Sequence, residues 1–139
     1  MMMTAAMLTS RLTATQRAAV DWHVGAGGKN VRLAGHALRL LNEAVELCVA
    51  AGATADEIRD RVAAEMVKAT GRGEFNQPVE LDNVRAELVD VQILGDVLAH
   101  WTGGADTEAE RAAKIAVLHG REWEADGDGA LWRPGRAPR

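Results

Sequence analysis

Apolar side chains recur along the chain with a period close to 3.6 over five segments, and that spacing predicts helices rather than strands. Residues 13–24 form the first, with Val20 and Val24 four apart and Thr13 or Thr15 placed to cap it. The Gly-Ala-Gly-Gly cluster at 25–28 ends it. The second helix is expected over 31–51, halted by Gly52. Ala34, Ala37, Leu38, Leu41, Ala44, Val45 and Cys48 make its apolar stripe, widened by Leu33, Leu40 and Leu47. Thr54 followed by Glu57 is a capping box for a third helix, which runs through Ile58, Val62, Met66 and Val67 to about Thr70. A loop at 71–78 carries Phe75, the chain's only phenylalanine, and reads as a lid or a plain connection. The fourth helix, 79–101, has Leu81, Val84, Leu88, Val91 and Leu98 on its main apolar side and Asp82, Arg85, Gln92, Asp96 and His100 on its outer side. Val89 and Ile93 lie on its far side and suggest a second packing surface. After Gly103 and Gly104, Asp106 or Thr107 caps a fifth helix ending near Gly120, with Glu108 and Glu110 in its first turn. The expected fold is an all-α bundle of four to five helices: a flexible N-terminus over 1–12, the domain over 13–124, and a tail over 125–139. Trp123 and Trp132 either pin that tail or leave it partly disordered, and DGDG at 126–129 reads as a turn.

Composition narrows the function classes. A chain of 139 residues that is 47% hydrophobic can bury one core. With 16 basic and 20 acidic residues its net charge is −4, so its overall field does not recruit nucleic acid. The single Cys48 excludes an internal disulfide, and cytoplasmic residence is the simplest expectation. The opening MMMTAAML is too short and too weakly apolar for a signal peptide or membrane span. GGK at 27–29 lacks both the earlier glycine (position 23 is His) and the following hydroxyl (position 30 is Asn) of a phosphate loop, so it reads as a connection.

Two pairs of acids then stand out. Glu43 and Glu46 in the second helix, and Glu87 and Asp90 in the fourth, are each three residues apart, so each pair projects from one side of its helix. Glu87 falls between Val91 and Leu94 on the helical wheel, and Asp90 lies beside Leu94, Val97 and Trp101, outside the solvent arc. Acids in apolar surroundings need a partner. Brought face to face, like charges at ~4 Å repel by about 4 kcal/mol at an effective dielectric near 20. A hard divalent cation relieves that repulsion through carboxylate oxygens. Glu43 and Glu46 share their arc with Arg32, His36 and Arg39, which equally suits a solvated face with an Arg39–Glu43 pair.

LLNEAVEL followed by ELVDV resembles the MazG-like, all-α nucleoside triphosphate pyrophosphohydrolases, whose signature is E-E-x-x-E, a spacer, then E-x-x-D. Asn42 stands where the signature has its first Glu; Glu43, Glu46, Glu87 and Asp90 match the rest. The likeness extends more weakly over about residues 13–124, since AAVDWH and KIAVLHGREW resemble the first and last helices of phage members. The resemblance implies Mg2+-dependent cleavage of a nucleoside triphosphate to the monophosphate and pyrophosphate, with Mn2+ as a substitute metal. It implies catalytic and metal-holding roles for Glu43, Glu46, Glu87 and Asp90, and phosphate contacts from Lys114 and Arg121. Trp22, His23 and Asn83 become candidates for the base, as does Trp101, and the composition is compatible with the phage group that removes dGTP. Lys29, Arg32, His36 and Arg39 are weaker phosphate candidates.

Two other readings compete. A carboxylate-bridged di-iron or di-manganese bundle uses Glu-x-x-His, but position 46 is Glu and position 90 is Asp. A non-catalytic helical interaction protein places all four acids in rim salt bridges. The widely apolar fourth helix predicts a homodimer or homotetramer with the site near the subunit contact. No membrane partner is expected.

Overall fold

A computed structural model describes residues 12–104 and 108–138. Among them are five helices: α1 (Ala14–Gly25), α2 (Leu33–Ala50), α3 (Ala55–Gly71), α4 (Leu81–Trp101) and α5 (Glu108–His119). Two short strands follow, β1 (Glu124–Ala125) and β2 (Leu131–Trp132). Helix dominates, as the periodicity requires. The N-terminus expected to be flexible lies outside the described residues apart from Leu12, and the Asp106 or Thr107 cap lies outside them entirely.

Local chemistry sets the helix starts. The Thr13 hydroxyl accepts from the Gln16 N–H at 3.2 Å while the Gln16 side chain accepts from the Thr13 N–H at 2.9 Å, closing a capping box and leaving Thr15 inside α1. Thr54 and Glu57 do the same for α3, at 3.2 and 2.7 Å. Helix α2 starts at Leu33, later than periodicity suggests. The N–H groups of Lys29 and Val31 donate to the carbonyls of Gly129 and Asp128, both at 3.1 Å, and hold that segment out of the helix. Helix α4 likewise starts at Leu81 rather than at position 79, with Glu80 extended at its N-cap (φ −112°). Gly52 ends α2 at φ +91°, in the left-handed region glycine enters without penalty.

The described residues fall into two compact units, one running to Arg39 and resuming at Glu108, the other spanning Leu40 to Gly104. In the first, α1 packs on α5. The strands pair antiparallel, with Glu124 opposite Trp132 and Ala125 opposite Leu131. Of the two alternatives for the tail, the ordered one holds: Ala130, Leu131 and Trp132 are 1%, 4% and 9% exposed and form the buried hydrophobic core among the described residues. The DGDG turn closes the hairpin. Asp126 Oδ1 accepts from the N–H of Asp128 (2.9 Å) and Ala130 (3.0 Å), and Oδ2 from Trp132 Nε1 (2.7 Å). Gly129 is required at φ +86°, because a side chain there would run into the Lys29 carbonyl.

The second unit holds α3, α4 and the greater part of α2. None of its described residues is buried. Nineteen large apolar side chains in it are exposed, including Leu88 at 45%, Ile93 at 54% and Trp101 at 77%. Burying one such side chain contributes about 1.5–3 kcal/mol, so half-exposure of nineteen leaves roughly 15–30 kcal/mol unrealised. That exceeds the ~5–15 kcal/mol by which a whole domain is stable. No described helix is long and apolar enough to cross a membrane.

Candidate functional site

The four acids singled out by spacing all lie in the second unit, Glu43 and Glu46 on α2 and Glu87 and Asp90 on α4, and all are exposed. Other acids of this unit are tied to a cation one turn away: Asp56 to Arg59 at 2.6 Å, Glu65 to Lys68 at 2.7 Å and Asp82 to Arg85 at 2.7 Å. Glu46, Glu87 and Asp90, like Asp60 and Asp96, make no hydrogen bond or ion pair among the described residues, whereas Glu43 does interact. Around Glu87 and Asp90 stand exposed apolar neighbours, Val91 at 48%, Leu94 at 67% and Val97 at 49%. The donor atoms are all carboxylate oxygens, which suits a hard divalent cation. No three His, Cys, Asp or Glu side chains among the described residues gather closely enough to hold one. One chain therefore presents two carboxylate pairs rather than an assembled quartet.

The remaining candidates divide between the units. Asn83 lies in the second, its side-chain amide donating to Glu80 Oε2 at 3.3 Å. Trp22 and His23 lie on α1 in the first, both partly buried. Trp22 meets Trp123 edge to face, ring centres 5.1 Å apart, and its indole N–H is enclosed without a hydrogen-bond partner among the described residues. His23 stands 5.4 Å from His36, and its ring abuts Gly28, where a larger residue would collide. Burial, and secondarily the charge of His36, hold the His23 pKa below its ordinary value. Trp22 and Arg121 line one shallow cavity of about 220 Å³ with Leu118, His119 and Trp123. Lys114 does not join them. Helix α5 stops at His119 and Arg121 lies beyond its end, so the shared helical face that would align Lys114 with Arg121 does not form. Trp123 Nε1 instead donates to the Leu118 carbonyl at 2.9 Å, closing the end of α5.

The weaker phosphate candidates are mostly engaged in holding the hairpin. Arg32 grips Asp128 through two hydrogen bonds, 2.9 and 3.0 Å. His36 Nε2 donates to the Lys29 carbonyl at 2.9 Å. Arg39 donates to the Leu131 carbonyl at 3.1 Å and lies 4.4 Å from the centre of the Trp132 ring, a cation–π contact. Asp126, Asp128 and Arg39 are the structural residues that spacing alone did not identify. The available signal was the Asp-Gly turn between apolar flanks, a hairpin cue.

Comparison of the chain with family models, with curated proteins and with solved structures gives no match.

Proposed function

We propose that this chain is a MazG-like nucleoside triphosphate pyrophosphohydrolase, using Mg2+ to cleave a purine triphosphate, dGTP or GTP, between the α and β phosphates. The observation that carries this reading is the behaviour of the acids. Glu46, Glu87 and Asp90 stand at the signature spacing, exposed and without a cation partner among the described residues. Carboxylates not engaged by arginine or lysine are available to a hard divalent cation.

In this reading Glu43, Glu46, Glu87 and Asp90 hold the metal, which when bound supplies the positive charge that offsets the triphosphate. The two pairs contribute jointly only when α2 and α4 helices are brought together, from the same or different copies. One carboxylate takes the proton of the attacking water as the phosphoanhydride bond breaks and pyrophosphate leaves. The resemblance assigns Arg121 to the phosphate tail and Trp22 to the base, and within the first unit these two line one cavity. Lys114, exposed on α5, is the second candidate for the phosphates.

The test is direct. With each nucleoside and deoxynucleoside triphosphate and Mg2+, monophosphate and pyrophosphate should appear in equal amounts, fastest for a purine. Glu87→Gln and Asp90→Asn should each lower the rate by about 10²–10⁴ with helicity retained. Full activity in both variants would remove the pair from the mechanism. The uncovered apolar faces of the second unit favour a second reading, a non-catalytic interaction protein. It predicts no pyrophosphate from any triphosphate and no change in thermal stability on adding Mg2+.

A further inference from the structure

The chain has four histidines, and the fold brings two of them together. His23 sits in the last turn of α1 and His36 in the first turn of α2. Both belong to the first unit and both are partly buried. Their ring centres are 5.4 Å apart, with the planes inclined at 63°. The nitrogens of both turn toward one short stretch of backbone. The edge of His23 that carries its two nitrogens lies against Gly28, the residue type that puts no side chain there. His36 Nε2 donates to the carbonyl of the next residue, Lys29, at 2.9 Å. His23, by contrast, makes no side-chain hydrogen bond among the described residues, so its nitrogens are uncommitted.

We infer that His23 and His36 together bind a borderline divalent metal ion of the Zn2+, Ni2+ or Cu2+ type, with water in the remaining positions. The hydrogen bond of His36 is the first reason. A carbonyl only accepts, so Nε2 carries the proton and Nδ1 keeps its lone pair. Metal-ligating histidines have their other N–H held by a carbonyl or carboxylate in just this way. Spacing is the second reason. Two imidazoles on one tetrahedral ion, with metal–nitrogen bonds of about 2.0–2.1 Å, have ring centres roughly 5 Å apart, close to the separation found between these two. The donors decide the metal: imidazole nitrogen suits the transition ions, whereas Mg2+ takes oxygen. The pair is thus chemically distinct from the carboxylates of the other unit, and the inference goes beyond the catalytic proposal without depending on it. Two protein ligands accord with the lack of any larger cluster among the described residues. Nearby charge opposes the ion little: Arg32, one turn before His36, is paired with Asp128 at 2.9 Å, and Lys29 is exposed, where solvent screens it. Bound there, the ion ties the end of α1 to the start of α2, beside the Lys29 N–H that donates to Gly129 of the hairpin.

The full chain, without an affinity tag, is titrated with Zn2+ by calorimetry in excess Mg2+, which occupies carboxylates and leaves imidazoles free. One Zn2+ per chain should bind, with a dissociation constant of roughly 1–100 µM for a site with two protein ligands. The denaturation midpoint in tryptophan emission should rise as Zn2+ is added, because the ion binds the folded pairing. His23→Gln and His36→Gln should each weaken binding by about tenfold or more. His100→Gln, on α4, and His119→Gln, at the end of α5, should leave it unchanged. If either of the first two variants fails to fold, the assigned imidazole proton resonances of the unaltered chain decide. Zn2+ should move those of His23 and His36 and leave those of His100 and His119. The inference is overturned if no Zn2+ binds or if binding survives both variants. Loss of binding in Cys48→Ser overturns it as well, by placing the ion on that exposed thiol. Pyrophosphate release is scored separately, so a lack of activity leaves this result standing.

Discussion

At the scale of single residues, Asp126 does the most organising. Its carboxylate accepts two backbone N–H groups of the turn and the indole of Trp132. Burial pushes its pKa up, but the hydrogen bonds from Trp132, Ala130, Asp128 and Gly129 together outweigh that, leaving it below the usual aspartate value. Asp126→Ala should cost the first unit about 1–3 kcal/mol, read as an earlier denaturation midpoint in tryptophan emission. The first unit contains Trp22, Trp123 and Trp132, so emission reports mainly on it. A midpoint unmoved by the change would mean that these bonds contribute nothing net. Two acid-sensitive phases are expected in the same signal. His23 is held neutral by burial, so its contribution is complete above the unfolded value of about 6.5 and is lost as the pH falls below it. Asp126, whose folded pKa is lowered, keeps its contribution down to about pH 4 and loses it below. His23→Gln should flatten the first phase and leave the second. A midpoint constant between about pH 7.5 and 5.5 in the unaltered chain would exclude His23 as its cause.

At the scale of elements, the sequence was most legible where local chemistry decides. The Thr54–Glu57 box appears as its spacing foretold, and Thr54→Ala should lower stability by about 0.5–2 kcal/mol in a helicity-monitored unfolding curve. An unchanged curve would mean that α3 is held elsewhere. Legibility fell where distant residues compete. Nothing near Val31 announces that its N–H will bond to Asp128, so periodicity alone extends α2 upstream of its start at Leu33. The hairpin was half visible: the Asp-Gly turn could be read, but two-residue strands carry too little alternation to register as period two. At the candidate site, spacing located the acids and their apolar neighbours. It gave no account of which cations would be drawn away, because Arg32 and Arg39 bind the hairpin more than ninety residues on.

At the scale of the whole molecule, charge and burial are distributed together. The unit with a buried core is the one that carries net positive charge, and the acidic unit is the one whose apolar helices lack cover. If a second copy supplies that cover, folding is coupled to concentration, and the melting temperature of the helical signal should climb as protein is added.

The first unit is also split in the chain: α1 waits for α5 and the hairpin, which are made last. At translation speeds of about 5–20 residues per second, the roughly one hundred residues between Trp22 and Trp123 take about 5–20 s to synthesise. Through that interval α1 is without the α5 helix on which it packs, and its Trp22 is without Trp123. Holdase chaperones would be the natural occupants of the gap.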